Sequence, residues 1–132
     1  MDILVDTSVI IAVLANEPEK PALVSLTATA NIVAPRSVHW EIGNAFSAML
    51  KRNRVTLAQV LQALRIYQSI PIRFVEIDLE AALEMAAQLN IYAYDAYLIQ
   101  AARQYQLPMI TLDKELATYA KQKDVKVLRI NP

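Results

Sequence analysis

Short runs of aliphatic residues alternate with longer segments of helical periodicity along most of this chain. The short runs lie at positions 3–5, 32–34, 72–77, 109–112 and 125–130. Several of them are apolar at nearly every position, as expected for strands that are buried on both faces of a sheet. The pattern therefore predicts an α/β fold, a three-layer α/β/α sandwich with a central, mostly parallel sheet.

The segments between these runs carry helix start and stop signals. Helices are expected over 8–15, 19–29, 38–52, 57–67, 79–89 and 95–105, with a short one after Asp113. Ser37 and Asp78 stand at N-cap positions, and Thr56 with Gln59 forms a capping-box pattern. The helices around 38–52 and 57–67 are expected to form a hairpin.

Composition places the chain among compact domains. Of the 132 residues, 55% are hydrophobic and 20% are charged, and no repeat or linker interrupts them, so residues 1–132 are expected to form a single domain. Gly43 is the one glycine, which excludes glycine-rich phosphate loops. Cysteine is absent and the longest aliphatic run, 9–15, is too short to span a bilayer. We expect a cytoplasmic protein without a membrane segment.

Overall charge gives no argument for a nucleic-acid partner. Thirteen basic residues balance thirteen acidic ones. The one dense basic stretch, 51–54, follows a predicted helix. It either interacts with the negative end of that helix or contacts phosphate groups, and both interpretations stay open.

Two aspartates directly follow predicted strands. Asp6 comes after the first strand and Asp113 comes after 109–112. The carboxyl ends of parallel strands meet at one edge of the sheet, where ligands bind in open α/β folds. Each aspartate also opens a predicted helix, so capping is an alternative explanation for either one alone.

Two further acids are expected near the same edge. Asp95 shares a helical stripe with apolar Leu98 and Ile99, so its carboxylate is expected to point toward the core. The simpler alternative to a functional role is that Asp95 stabilises the helix dipole from the first turn. Glu41 has Ala45 and Ala48 one and two turns later, which leaves room for a ligand, although an exposed helical glutamate needs no such explanation.

Four carboxylates at one sheet edge would repel one another unless a cation lies among them. Oxygen ligands without imidazole or thiolate suit Mg²⁺ or Mn²⁺, and such ions activate water for phosphodiester hydrolysis. We therefore predict a metal site that uses Asp6, Glu41, Asp95 and Asp113 as catalytic and metal-binding residues. Hydroxyl and amide side chains that would orient these carboxylates, or serve as simple caps, are Thr7, Ser8, Asn44 and Thr111.

Aromatic residues and the lone histidine have two interpretations each. His39 is either a general base or a packing residue, and packing is favoured because no carboxylate partner is fixed by the sequence. Tyr97 and Tyr105 fall on one helical side and are expected to pack, whereas Tyr92 or Tyr94 is the better candidate for stacking on a base.

The order of these segments resembles the PIN-domain nucleases, most closely the VapC-type toxins of toxin-antitoxin pairs. The resemblance spans nearly the whole chain and rests on Ile3-Leu4-Val5-Asp6-Thr7-Ser8, Trp40-Glu41-Ile42-Gly43-Asn44-Ala45, Tyr94-Asp95-Ala96-Tyr97 and Thr111-Leu112-Asp113. Two positions depart from the family pattern. Gln106 stands where a glycine is frequent, and Ala93 stands where some members carry a hydroxyl.

The resemblance implies a parallel sheet with the four acids around Mg²⁺ or Mn²⁺, and cleavage of RNA as the activity. It also implies a small cognate antitoxin protein that covers the site, and a homodimer of the toxin. These implications concern partners and substrate that the residues alone do not specify.

Two other functions compete with this hypothesis. An aspartyl-phosphate phosphotransfer site resembling the haloacid dehalogenases needs a second aspartate two residues after the first, where this chain has Ser8. A non-catalytic binding module would instead capture a basic segment of a partner in the acidic pocket. RNA cleavage with Mg²⁺ and with a chelator distinguishes the module from the nuclease.

Overall fold

A computed structural model describes residues 1–130. Its sheet contains four parallel strands, β1 (Asp2–Val5), β2 (Asn31–Pro35), β3 (Ile72–Val75) and β4 (Met109–Ile110). Their order across the sheet is β3-β2-β1-β4. The predicted parallel α/β architecture is confirmed, and β1 lies in the interior of the sheet, where Leu4 pairs with Val33 on one side and with Met109 on the other.

Seven helices connect the strands and cover both faces. The helices are α1 (Thr7–Leu14), α2 (Lys20–Thr27), α3 (Ser37–Lys51), α4 (Leu57–Ser69), α5 (Leu79–Leu89), α6 (Ala93–Gln104) and α7 (Lys114–Gln122). Helix α1 contacts α2, α3 and α4, whereas α6 contacts α5 and α7. These two groups form the outer layers of the sandwich. Within residues 1–130, no helix has the length and apolar character that crossing a bilayer requires.

The starts of α4 and α5 follow the local signals in the sequence, whereas the prediction that Ser37 caps α3 is wrong: Ser37 is the first residue of that helix, and Arg36 takes the N-cap position without a side-chain hydrogen bond. Thr56 accepts a hydrogen bond from the Gln59 amide, and the Gln59 side chain accepts one from the Thr56 amide, so the predicted capping box is present. Asp78 caps α5 through the Ala81 amide at 3.1 Å. These contacts satisfy amide groups that have no partner inside the helix.

The prediction of a strand over residues 125–130 is wrong, and two other predicted strands are shorter than expected. Residues 125–130 form no strand, and Val127 makes only an isolated bridge to Met109, with hydrogen bonds from the Met109 amide to Lys126 and from the Leu128 amide to Met109. Strand β4 also ends at Ile110 rather than at 112, because Thr111 and the amide of Leu112 bond to side chains at the end of β1. Strand β3 ends at Val75 rather than at 77.

The order of connections creates a switch point between β1 and β4. The chain leaves β1 toward β2 and then β3, whereas the connection through α5 and α6 returns across the sheet to β4 on the other side of β1. In open α/β sheets, adjacent strands whose connections run in opposite directions leave a crevice beyond their carboxyl ends. The fold thus places a crevice where Asp6 and Asp113 emerge.

Gln106 adopts a left-handed backbone conformation, with φ of 54°. This conformation is costly for a residue with a Cβ atom and is easy for glycine. It gives a physical reason for the glycine that the resemblance leads us to expect at this position.

We predict that Gln106→Gly stabilises the fold by about 0.5–1 kcal/mol, because it relieves this backbone strain. The matched control is Gln62→Gly, at an exposed position inside α4, which should destabilise by about 1 kcal/mol. Urea unfolding measures both values. A loss of stability in Gln106→Gly as large as that in the control would contradict the strain argument.

Candidate active site

The carboxyl ends of β1 and β4 are tied together by side-chain hydrogen bonds. Asp6 Oδ2 accepts a hydrogen bond of 2.6 Å from the Thr111 hydroxyl, and Ser8 Oγ accepts one of 3.0 Å from the Leu112 amide. Thr111 Oγ1 in turn accepts from the Asp113 amide at 3.0 Å. The two strand ends, more than one hundred residues apart in sequence, are therefore held in fixed register at the crevice.

Asp6 is the most buried acid of this site, with 4% of its surface exposed. Its Oδ1 accepts from Ser8 Oγ at 2.7 Å and from the Val9 amide at 3.2 Å, so it also caps α1. Burial raises the pKa of Asp6 despite the three hydrogen bonds, and the charge of Asp113 adds to the rise. Asp6 thus serves as a cap, as the simpler interpretation has it, and is also part of a strained electrostatic cluster.

Glu41 reaches the same crevice from the first turns of α3. Burial, followed by the charges of Asp6 and Asp95, raises the pKa of Glu41 to about 7. Its Oε2 atom is buried and has no hydrogen-bond partner among residues 1–130. An unpaired buried carboxylate oxygen is costly, so this atom calls for a proton, a cation or another donor.

Asp95 lies in the first turn of α6 but does not cap it. Burial raises the pKa of Asp95, and the charges of Asp113, Asp6 and Glu115 add to the effect in that order. Glu115, in the first turn of α7, was not singled out from the sequence. The available signal was its spacing of two residues after Asp113, but acidic residues are common in first helical turns and the spacing alone gives no distinction.

Asp113 is the N-cap of α7. Its Oδ1 accepts hydrogen bonds from the amides of Glu115 at 3.0 Å and Leu116 at 3.1 Å. The capping explanation therefore describes part of its role. The charge of Asp113 also raises the pKa of both Asp6 and Asp95.

These acids form a set of mutually repelling charges without a compensating cation. The ion pairs of the described residues are Arg36 with Glu76 and Arg73 with Asp2, and both lie outside the set. No three side chains in 1–130 stand close enough together to form a ready metal-binding group. The carboxylates act on one another electrostatically without forming a tight cluster of ligands.

The donor set fits a hard divalent cation. All of the donors are carboxylate oxygens, one of them buried without a partner, and no imidazole or thiolate takes part. Mg²⁺ and Mn²⁺ prefer such ligands, together with water.

The predicted supporting residues separate into two groups. Ser8 and Thr111 bond directly to Asp6, whereas Asn44 is exposed on α3. Thr7 opposes the rise in the pKa of Glu41, although its buried hydroxyl makes no hydrogen bond with good geometry within the described chain. Within the described residues, Ser8 and Thr111 are therefore the two predicted supporting residues that orient a carboxylate through a hydrogen bond.

The histidine and the tyrosines follow the packing interpretation in part. His39 Nδ1 lies 2.9 Å from the Tyr67 hydroxyl, and the His39 ring contacts the rings of Trp40 and Phe74. The Tyr105 hydroxyl donates to the Glu76 carbonyl. Tyr92, directly before α6, is 89% exposed.

Without added metal, the protein should lose stability as the pH rises from about 5.5 to 8. The folded chain holds the Glu41 proton up to a pH of about 7, whereas the unfolded chain releases it near 4.5. Between these values the folded state binds more protons, so raising the pH favours unfolding. After allowance for solvent screening, we expect a loss of about 1–2 kcal/mol.

Urea unfolding in EDTA at the two pH values measures this loss. Glu41→Gln should reduce the pH dependence and raise stability at pH 8, whereas Glu84→Gln, at an exposed position on α5, should match the unmodified protein. Equal pH dependence in both variants would show that Glu41 is not under electrostatic strain.

Comparisons with solved structures show where this fold occurs. The chain has a TM-score of 0.71 and 24% identity to PAE2754 from Pyrobaculum aerophilum, over 90% of this chain and 79% of the other. VapBC2 from Rickettsia felis, in complex with a promoter DNA fragment, gives a TM-score of 0.72 at 13% identity, over 99% and 100% of the two chains. VapC20 from Mycobacterium tuberculosis gives 0.64 at 17% identity, over 88% and 93%.

The comparison with family profiles is more direct. No curated protein sequence matches the chain significantly. The profile of the PIN domain matches residues 3–122, a range that contains β2, β3, β4, all of β1 except Asp2, and the four predicted site acids. The chain therefore belongs to the PIN domain family.

Proposed function

We propose that the protein is a metal-dependent endoribonuclease that hydrolyses RNA phosphodiester bonds. The observation that carries this proposal is the group of carboxylates at the switch point: burial and neighbouring negative charges raise the pKa of Asp6, Glu41 and Asp95, and none of the three has an ion-pair partner within residues 1–130. Membership of the PIN domain family supports the same chemistry, since these domains generally use divalent metal ions. Mg²⁺ or Mn²⁺ is the proposed cofactor.

Asp6, Glu41, Asp95 and Asp113 would hold the ion or ions. When bound, a divalent ion supplies Lewis acidity for the attack of water on phosphorus. The chain supplies the placement of that charge. Asp6 is fixed by donors from both strand ends, so its position depends on the sheet rather than on a flexible loop.

Glu41 has a different role from Asp6 in this proposal. Its Oε2 has no partner, and its pKa near 7 lets it hold or release a proton at physiological pH. Glu115 lies near Asp95 and would add negative charge at the rim of the site. Ser8 and Thr111 would keep Asp6 in its orientation through their hydroxyl groups.

We further propose that the protein acts as the toxin of a toxin-antitoxin pair. The support is the likeness of its fold to VapC20, described as a toxin that cleaves the sarcin-ricin loop, and to VapBC2. A cognate antitoxin protein would cover the acidic site, and the toxin is proposed to form a homodimer. Sedimentation of the purified chain, alone and with a co-expressed antitoxin, tests both statements.

We predict that Asp6→Asn and Asp95→Asn each lower RNA cleavage at least 100-fold, because each removes a charged ligand while keeping the side-chain shape. EDTA should abolish cleavage by the unmodified protein, and Mg²⁺ or Mn²⁺ should restore it. The readout is cleavage of a labelled single-stranded RNA.

The matched control is Asp78→Asn. Asp78 also follows a strand and caps a helix, but it belongs to α5 and has no coupling to the acidic set. This variant should cleave RNA within about twofold of the unmodified protein, since asparagine also caps helices well. Full activity in both Asp6→Asn and Asp95→Asn would refute the proposed metal site.

A second candidate function is a binding module without turnover. The absence of a cation from the acidic set in the described residues also suits a basic segment of a partner, whose lysine or arginine would enter the crevice. Cleavage that depends on Mg²⁺, measured on protein freed of any partner, decides for the nuclease. No cleavage with either ion, together with tight binding of a basic peptide, decides for the module.

A further inference from the structure

Positive charge is concentrated in one continuous part of the sequence. Residues 42–75 contain five basic residues and no aspartate or glutamate, whereas the rest of the chain has eight basic and thirteen acidic residues. The basic residues are Lys51, Arg52, Arg54, Arg65 and Arg73. This part of the chain includes most of α3, all of α4 and all of β3, so the basic residues of the neutral protein are concentrated in these elements.

One exposed side of α3 connects the acidic site to these cations. Trp40, Asn44, Ser47 and Lys51 are all exposed and follow one another at intervals of four, three and four residues, which places them on one side of the helix. Gly43 is exposed beside Asn44. We call these five residues the α3 face.

Trp40 stands at the end of the α3 face nearest the acids. It directly precedes Glu41 and is 68% exposed, although tryptophan is the largest apolar side chain. The His39 ring contacts it edge-on at 4.9 Å, and His39 is itself held by the Tyr67 hydroxyl. Trp40 is therefore supported from within the protein and open to a ligand.

No close contact within residues 1–130 requires glycine at position 43. A Cβ atom built there meets nothing within 4 Å, and the position is helical, where glycine costs about 1 kcal/mol relative to alanine. Bare helix backbone next to an exposed tryptophan permits the close approach of a bound molecule.

The far end of the α3 face leads into three cations without acidic partners. Lys51, Arg52 and Arg54 are exposed, and neither of the two ion pairs within residues 1–130 includes them. Glu41 and Lys51 are ten residues apart on one helix, a distance of about 15 Å. This distance corresponds to about four nucleotides at the ~3.4 Å spacing of a stacked strand.

We propose that the α3 face is the path along which single-stranded RNA reaches the acidic site. Trp40 stacks on a base next to the scissile phosphate, Gly43 lets the strand approach the helix, and the cations at 51–54 bind phosphates about four nucleotides away. Charge complementarity favours a polyanion over an apolar partner at this surface. The inference rests on the proposed RNA hydrolysis and specifies how the substrate is held.

The unique tryptophan provides a direct measurement. A 12-nucleotide single-stranded RNA is titrated into the Asp95→Asn variant with Mg²⁺, and Trp40 fluorescence is followed at several salt concentrations. RNA binding is expected to quench Trp40 fluorescence. In a separate assay with labelled RNA, Trp40→Ala should weaken binding about 10- to 100-fold, and Trp40→Phe should retain more of the affinity. This experiment measures RNA binding and not cleavage, so its result can be interpreted even if the protein does not hydrolyse RNA.

Two further variants test the path itself. The triple variant K51A/R52A/R54A should lower the slope of log affinity against log salt by about 2, while K121A/K123A/K126A, with the same loss of charge elsewhere, should leave it unchanged. Gly43→Leu should keep or raise the melting temperature yet weaken RNA binding at least tenfold.

Unchanged RNA affinity in Trp40→Ala and in Gly43→Leu would overturn the proposal. Conversion of a dimer to a monomer by Gly43→Leu, with RNA affinity unaltered, would assign the α3 face to a second copy of the chain and would also overturn it.

Discussion

The bond between the Thr111 hydroxyl and Asp6 is the interaction on which the arrangement of the site depends. It joins the end of an interior strand to the end of an edge strand across the crevice, at 2.6 Å in a buried setting. A hydrogen bond to a charged acceptor in low dielectric is strong, and its loss leaves a buried group unpaired. The Thr111 hydroxyl also accepts a hydrogen bond from the Asp113 amide, so this one hydroxyl positions two of the acids.

This arrangement is electrostatically unfavourable. Burial and mutual repulsion raise the pKa of Asp6, Glu41 and Asp95, so the folded protein without a cation is under strain at neutral pH. The apolar strands around the site, including fully buried Leu4 and Ile110, provide the stability that maintains it. An ion bound by the native chain and not by the unfolded one would relieve the strain and stabilise the fold.

The sequence was informative where local signals and topology agree. The parallel sheet, the capping box at Thr56 and the positions of Asp6 and Asp113 follow from strand patterning and helix caps. The predicted strand over 125–130, which contains Lys126 and Arg129, does not form. The segment pairs with β4 only through Met109, and an apolar sequence pattern does not show whether a segment pairs with a sheet. The effect of Glu115 on Asp95 depends on how α6 and α7 pack, which no local sequence pattern encodes. The exposure of Asn44 depends on which side of α3 faces the solvent, and the sequence prediction of a supporting role did not include it.

The four acids are residues 6, 41, 95 and 113, and Asp113 reaches Asp6 through β4, which is synthesised after the other three strands described in residues 1–130. Contacts between such distant segments form only after most of the chain is available. A nascent or truncated polypeptide that lacks Thr111 has no partner for Asp6 across the crevice. The four carboxylates can therefore come together only once the chain has been synthesised at least as far as residue 113.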